Sequence, residues 1–235
     1  MSDQQAPSNS QSDQPDQQAK SEPGLGPACM VVAILGLAAV CAFCGLGSWF
    51  VFSNQYPLAV KSIDKQLIPW IESSQLAIED KQSIVAQLED LVIQLNAQTI
   101  DRKQLGRLRN CLQDNPVLLW GGVQSIQKQA SDAGLSTTEI ATLERTCQRL
   151  MRMATDRKLG RTDLEFTLQD LSTTNRDGTS LVKNDLTGDQ IRSFLKRADN
   201  ILGRNKTLNE PYQVTPAEAF EILLKASLAP PEESH

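Results

Sequence analysis

Histidine, the side chain that most often acts as a general base, occurs in this 235-residue sequence only as the last residue, His235. A serine or cysteine triad needs a histidine beside the nucleophile, and most catalytic zinc sites need histidine ligands. The phosphate-binding patterns GxxxxGK[ST] and GxGxxG are both missing from the sequence. The sequence therefore predicts neither a metal site, nor a bound cofactor, nor a catalytic site of these kinds.

Carboxylates are the remaining groups that could carry catalysis, since the chain has 28 Asp and Glu residues. A glycosidase-like mechanism needs two of them at a set separation. No pair stands out, and the acids fall on the polar faces of predicted helices, where charge is ordinary. The segment from Thr173 to Gly178 resembles the start of a calcium-binding EF-hand loop. Its first position is Thr173 and its twelfth is Asn184, neither of them the usual acid, so an ordinary turn is predicted.

Two of the five cysteines, Cys111 and Cys147, lie beyond residue 52, each on the apolar face of a predicted helix. Buried free thiols are the favoured interpretation. A disulfide between Cys111 and Cys147 is the alternative, and it would require an oxidising compartment.

Basic residues recur between positions 145 and 161, at Arg145, Arg149, Arg152, Arg157, Lys158 and Arg161. A solvated helix face paired with neighbouring acids is the expected role, and contact with anionic headgroups or an anionic partner is the alternative. The whole chain has a net charge of −5 and a pI near 5.0, which argues against general nucleic-acid binding.

Residues 27–52 contain no charged side chain. At 1.5 Å per residue these 26 residues reach about 39 Å, more than the roughly 30 Å of a bilayer's hydrocarbon core. The stretch predicts a single transmembrane helix over residues 27–53, preceded by a disordered, polar, acidic tail over residues 1–26. Small residues share one face of this helix and could pack two copies together. They are Ala38, Cys41, Ala42, Gly45 and Ser48.

The rest of the chain predicts an all-α architecture. Residues 54–73 have helical spacing interrupted by Pro69, which suggests a juxtamembrane helical stalk. Residues 74–229 repeat a polar cap followed by an apolar stripe of period 3.6, which predicts a helical bundle of about five to seven helices. The predicted caps are Asp101 with Gln104, Ser136 with Glu139, Thr162 with Glu165, Thr187 with Gln190 and Thr215 with Glu218. Residues 230–235 form a short tail.

Three functional classes fit this layout. The first is a membrane-anchored interaction or structural module that binds a protein partner near the bilayer. The second is a ligand sensor coupled through the stalk to a membrane partner, and the third is a carboxylate-dependent enzyme. The positive-inside count is almost balanced and does not decide the orientation. The first base after the stretch, Lys61, comes nine residues beyond Phe52, and aromatic residues gather at that end, so an extracytoplasmic C-terminal domain is expected.

Overall fold

The computed structural model describes residues 55–174 and 180–230, together with Val40. The chain divides into two units, Met1–Ser53 and Asn54–His235. The predicted transmembrane helix, apart from Val40, and its small-residue face therefore lie outside the described residues. Among the residues that are described, no helix combines the length and apolar character needed to cross a membrane.

The second unit is mostly helical, which confirms the predicted all-α domain. Its α-helices are α1 (Gln55–Ser62), α2 (Ile68–Ser73), α3 (Ile78–Asn96), α4 (Arg102–Gln113), α5 (Trp120–Gln129), α6 (Thr137–Thr155), α7 (Arg161–Leu168), α8 (Gly188–Arg204) and α9 (Pro216–Leu228). A π-helical turn, Ile63–Leu67, joins α1 to α2, and 3₁₀ turns cover Pro116–Leu119 and Gln169–Leu171. Two short antiparallel strands, β1 (Ser172–Thr174) and β2 (Ser180–Val182), form a hairpin between α7 and α8.

Capping boxes fix where several helices begin. The side chains of Asp101, Ser136, Thr187 and Thr215 each accept a hydrogen bond from the backbone N–H three residues on, and the Gln or Glu at that position bonds back. Each box satisfies N–H groups that have no partner within the helix. These are the four boxes that the sequence predicts for α4, α6, α8 and α9.

The start of α7 differs from the sequence-based expectation that Thr162 and Glu165 would cap it. The N-terminal cap is Gly160, whose N–H donates to Asp163 Oδ2 at 3.0 Å. Glu165 is used differently, because its carboxylate accepts from Arg161 Nε at 2.8 Å. Arg161, one turn before Glu165, therefore pairs with the carboxylate that was expected to cap the helix.

The segment proposed from the sequence as a stalk is helical and packs against α3. Ile63 and Ile71 are buried there, and the Tyr56 hydroxyl donates to the Ile100 carbonyl at 2.8 Å. Pro69 neither ends nor breaks this segment, because the preceding π turn shifts the bonding so that the Ile68 N–H donates to the Ile63 carbonyl. Residues 54–73 thus belong to the same unit as residues 74–229.

In the core, α9 packs against α3, α4 and α6, and α8 packs against α6 and α7. Phe194 of α8 and Phe220 of α9 are its largest fully buried side chains. Each such side chain contributes roughly 1.5–3 kcal/mol of transfer free energy. The α3 stripe follows the predicted spacing, with four residues at or below 1% exposure, namely Ile84, Leu88, Leu91 and Leu95.

Candidate functional site

An open cavity of about 480 Å³ lies between α2, the first 3₁₀ turn, α7 and the hairpin. We call it the hairpin groove. Its apolar lining comes from Trp70, Leu119, Phe166, Leu168 and Leu181. Its volume falls within the roughly 300–1,000 Å³ typical of binding pockets. Among the described residues that line it, the single acid is Glu165, which is already paired with Arg161 at the rim.

Phe166 is the most conspicuous apolar residue of the hairpin groove, because 57% of it is exposed while it lies on the short helix α7. Its neighbours Leu164 and Leu168 point into the core. An exposed aromatic ring beside a concave apolar surface is typical of an interaction site. The sequence carried a signal for it, since Phe166 is an aromatic residue off the Leu164–Leu168 stripe.

Glutamine side chains hold the hairpin at the groove's edge. Gln75 donates from Nε2 to the Val182 carbonyl and accepts the Val182 N–H at Oε1, both at 2.8 Å. Gln129 of α5 bonds the chain just beyond β2 in the same way, donating to the Lys183 carbonyl at 2.8 Å and accepting from the Leu186 N–H at 3.1 Å. The position of β2 is therefore fixed by side chains 54 to 107 residues away.

The hydrogen bonds of β2 show which of its residues direct their backbone N–H and carbonyl groups toward β1 and which direct them away from it. The Lys183 N–H donates to the Leu171 carbonyl at 2.9 Å, so Lys183 faces β1. Along an antiparallel pair, the backbone N–H and carbonyl groups of successive residues point alternately toward and away from the partner strand. Those of Val182 point away from β1 and bond to Gln75. Ser180, two residues earlier, faces the same outward side as Val182 and also lines the hairpin groove. The outer edge of β2 thus lies along the groove.

Close packing of α5 against this region depends on two glycines. A Cβ at Gly121 would collide with the backbone of Gln75 and Leu76, and one at Gly122 would come within 3.0 Å of Val182 Cγ2. The first contact is with backbone, which cannot move aside as a side chain can. Gly121 therefore sets the distance between α5 and the segment that carries Gln75.

The basic face of α6 has a structural partner that the sequence analysis did not identify. Arg145 donates to Asn209, and Arg149 donates to the Thr207 carbonyl at 3.2 Å. Arg152 lies 3.4 Å from a Glu210 carboxylate oxygen and 5.1 Å from the centroid of the Tyr212 ring. These three arginines bind the loop between α8 and α9 to α6. For these three arginines, contacts about 60 residues away along the chain replace the pairing with Glu144, Asp156 and Asp163 that the sequence predicts. Lys158 of the same basic group does pair with Asp156, at 3.4 Å.

Cys111 and Cys147 are free thiols on different helices, α4 and α6. The Cys111 thiol donates to the Leu223 carbonyl across a 3.6 Å separation, and Cys147 is buried. Burial raises the pKa of both thiols, that of Cys147 to about 12. Neither thiol is primed for nucleophilic attack, since the thiolate is the reactive form.

A second cavity, of about 400 Å³, lies where α4, α6 and α9 meet the start of α7. We call it the basic cavity. Its charged lining is Arg107, Arg157, Lys158 and Asp114, and its remaining wall is mostly apolar. Arg107 is already bonded to the carbonyls of Ser227 and Ala229. The basic cavity, like the hairpin groove, has a single carboxylate.

Metal binding has no visible basis in the part of the chain that the structure describes. Over residues 55–174 and 180–230, no three His, Cys, Asp or Glu side chains come close enough together to hold an ion. The central residues of the EF-hand-like segment, Asn175, Asp177 and Gly178, fall outside the described ranges.

Comparison with known proteins gives no relative from which a function could be transferred. No family model, no curated protein and no solved structure matches the chain.

Proposed function

We propose that this protein is a single-pass membrane-anchored module that binds an extended apolar segment of a protein partner in the hairpin groove. The observation that carries the proposal is the exposed ring of Phe166 beside the outer edge of β2. Trp70, Leu119 and Leu181 supply further apolar contact area in the same groove. Aromatic residues of this kind commonly carry most of an interface's binding free energy.

Gln75 already bonds both outward backbone groups of Val182, so the part of the β2 edge that is left for an extended segment is at Ser180. A partner strand could continue this pattern at Ser180, pairing its backbone with the outward side of β2. Its alternate side chains would then reach Phe166 and Trp70. An interaction module fits better than a carboxylate-dependent enzyme, because within residues 55–174 and 180–230 neither cavity is lined by two carboxylates.

The membrane anchor is supported by the uncharged run of residues 27–52 and its length. Extraction of cell membranes with carbonate at high pH tests it. The full-length chain should stay in the membrane pellet, and a chain lacking residues 27–52 should be released. Release of the full-length chain into the supernatant would contradict the anchor.

The extracytoplasmic placement of the C-terminal domain is part of the same proposal, supported by the late appearance of bases after the stretch, first at Lys61. Protease added to intact cells should digest residues 54–235. Protection of this region until lysis would place the domain in the cytoplasm instead.

The partner site is tested with a matched pair of variants in full-length chain expressed in its own cells. Phe166→Glu places a charge in the hairpin groove, whereas Ile93→Glu places one at a residue that is 65% exposed on α3. Proteins that co-purify with the wild type should be recovered at least about ten-fold less with Phe166→Glu, and undiminished with Ile93→Glu. Equal recovery with both variants would exclude the groove as the partner site.

A further inference from the structure

We infer that the basic cavity is a binding site for a small monocarboxylate with an apolar body. This site is separate from the hairpin groove, and its occupation does not depend on the proposed partner.

Asn115 lines the basic cavity and is 2% exposed. Its Oδ1 accepts the Val117 N–H at 2.9 Å, which caps the 3₁₀ turn and fixes the orientation of the amide. Its Nδ2 has no hydrogen-bond partner among the described residues. Turning the amide over would leave the Val117 N–H facing a donor, so Nδ2 must remain the group that lacks an acceptor. A buried amide donor normally has a partner. A carboxylate oxygen in the basic cavity would supply the missing acceptor.

Positive charge surrounds the same cavity. Arg157 and Lys158 lie together on its wall, and Asp114 is the one acid among the described residues that line it. Lys158 is paired with Asp156 at 3.4 Å, which leaves Arg157 as the stronger candidate for binding an anion. Arg157 has a backbone φ of 58°, in the left-handed region that non-glycine residues rarely adopt. Within residues 55–174 and 180–230, Arg157 takes part in no ion pair. Arg157 and Cys111 both line the cavity. Burial raises the pKa of the Cys111 thiol, and the hydrogen bond with Ser227 and the charge of Arg157 partly offset this increase. This charge is therefore available to an anion beside Cys111.

The rest of the wall favours an organic anion over a bare inorganic one. Pro116, Ala154, Leu159 and Leu223 contribute apolar surface to the basic cavity. A ligand with a carboxylate toward Asn115 and Arg157, and an apolar body against these side chains, would use both parts of the lining. The whole chain carries a net charge of −5, so attraction of an anion to this cavity would be local.

Cys111 lines the cavity and provides the readout. The full-length chain, purified in a mild detergent, is alkylated with N-ethylmaleimide in the presence of benzoate or of benzylammonium, which has a similar body and the opposite charge. Mass spectrometry of tryptic peptides measures the rate at Cys111 and, as an internal check on folding, at the buried Cys147. Benzoate should slow alkylation of Cys111 several-fold more than that of Cys147, and benzylammonium should not. Equal protection by the two probes, or protection by neither, would overturn the inference.

Arg157→Gly is the most informative variant, because glycine adopts a positive φ without strain and the change removes the charge. Lys206→Gly is its matched control, since Lys206 is also a cation with a positive φ, 48°, and does not line the cavity. Half-protection by benzoate should require about five-fold more benzoate in Arg157→Gly and an unchanged concentration in Lys206→Gly.

Asn115→Asp tests the amide separately, because a carboxylate can still cap Val117 but cannot donate to the ligand. Benzoate should lose its protection of Cys111 in this variant as well. Wild-type protection in both Arg157→Gly and Asn115→Asp would refute the proposed site.

Discussion

Asp80 of α3 accepts a hydrogen bond from the backbone N–H of Ala217, 137 residues later, at 3.2 Å from its Oδ1. Its second oxygen accepts from Gln124 Nε2 at 2.8 Å, and Gln124 Oε1 in turn accepts the Ala77 N–H. Asp80 is 8% exposed, so these bonds compensate the burial of its carboxylate. One acidic side chain thereby joins the first turns of α3 and α9 to the middle of α5.

Replacing Asp80 by Ala should therefore be among the most destabilising substitutions of an acid in this domain. It leaves the Ala217 N–H and Gln124 Nε2 without acceptors, and each unsatisfied buried donor costs about 1–3 kcal/mol. We expect a loss of about 2–5 kcal/mol in the free energy of unfolding, measured by urea denaturation.

The matched control is Asp90→Ala on the same helix, at an exposed position. It should change stability by less than about 0.5 kcal/mol. If the two variants unfold at the same urea concentration, the proposed joining role of Asp80 is wrong.

Glu139 should make stability depend on pH in the acidic range. Its hydrogen bond to Arg192, at 2.7 Å, and those from Ser136 lower the pKa of its carboxyl from 4.5 to about 2. A lowered folded-state pKa stabilises the folded chain above the unfolded-state pKa, and this contribution is lost as the pH falls from about 4.5 toward 2.

Glu139→Gln removes the charge while keeping the cap, because Gln already occupies the equivalent position in the boxes of α4 and α8. The difference in unfolding free energy between wild type and Glu139→Gln should be constant from pH 5 to 7 and should decrease steadily below about pH 4.5. Urea titrations at pH 7, 5 and 3 measure it. A difference that stays the same down to pH 3 would contradict the lowered pKa.

Two glycine-to-alanine changes should have opposite effects. Gly106 lies on α4, and no atom lies within 4 Å of the position that a Cβ would take there, so Gly106→Ala should stabilise the domain by about 0.5–1 kcal/mol. Gly121→Ala drives a methyl group into the backbone of Gln75 and Leu76 and should destabilise it by about 3 kcal/mol or more. Thermal unfolding followed by circular dichroism compares the two, and a stable Gly121→Ala protein would show that α5 can move away from Gln75.

Much of the fold could be predicted from the sequence because its signals are local. The boxes at Asp101, Ser136, Thr187 and Thr215 each operate within four residues, and they begin helices where predicted. The contacts that shape the candidate sites are long-range, such as Gln75 with Val182 and Asp80 with Ala217. In the sequence, a glutamine or aspartate whose side chain bonds to a backbone group more than 100 residues away cannot be distinguished from any other polar residue of a helix or loop. The sequence therefore predicts neither cavity. It does contain one signal for the hairpin groove, because Phe166 is an aromatic residue that lies off the Leu164–Leu168 stripe.

The arginines of α6 should control the mobility of the loop between α8 and α9 with little effect on global stability. Arg145 donates to Asn209 at an exposed position, and Arg149 donates to the Thr207 carbonyl at a half-buried one. Hydrogen bonds of this kind contribute about 0.5–1.5 kcal/mol each. The double variant Arg145→Ala/Arg149→Ala should therefore release the loop while the core stays folded. Lys206 lies in this loop, so brief digestion with a lysine-specific protease reports its opening.

Cleavage after Lys206 should become at least about five-fold faster in the double variant, because the population of the open loop rises with the free energy removed. Arg109→Ala is the control, since it removes an exposed cation of α4. The midpoint of thermal unfolding should shift by only a few degrees in either variant. A double variant that is cut after Lys206 at the wild-type rate would show that Tyr212 and its contacts with Thr155 and Arg152 hold the loop without the other two arginines.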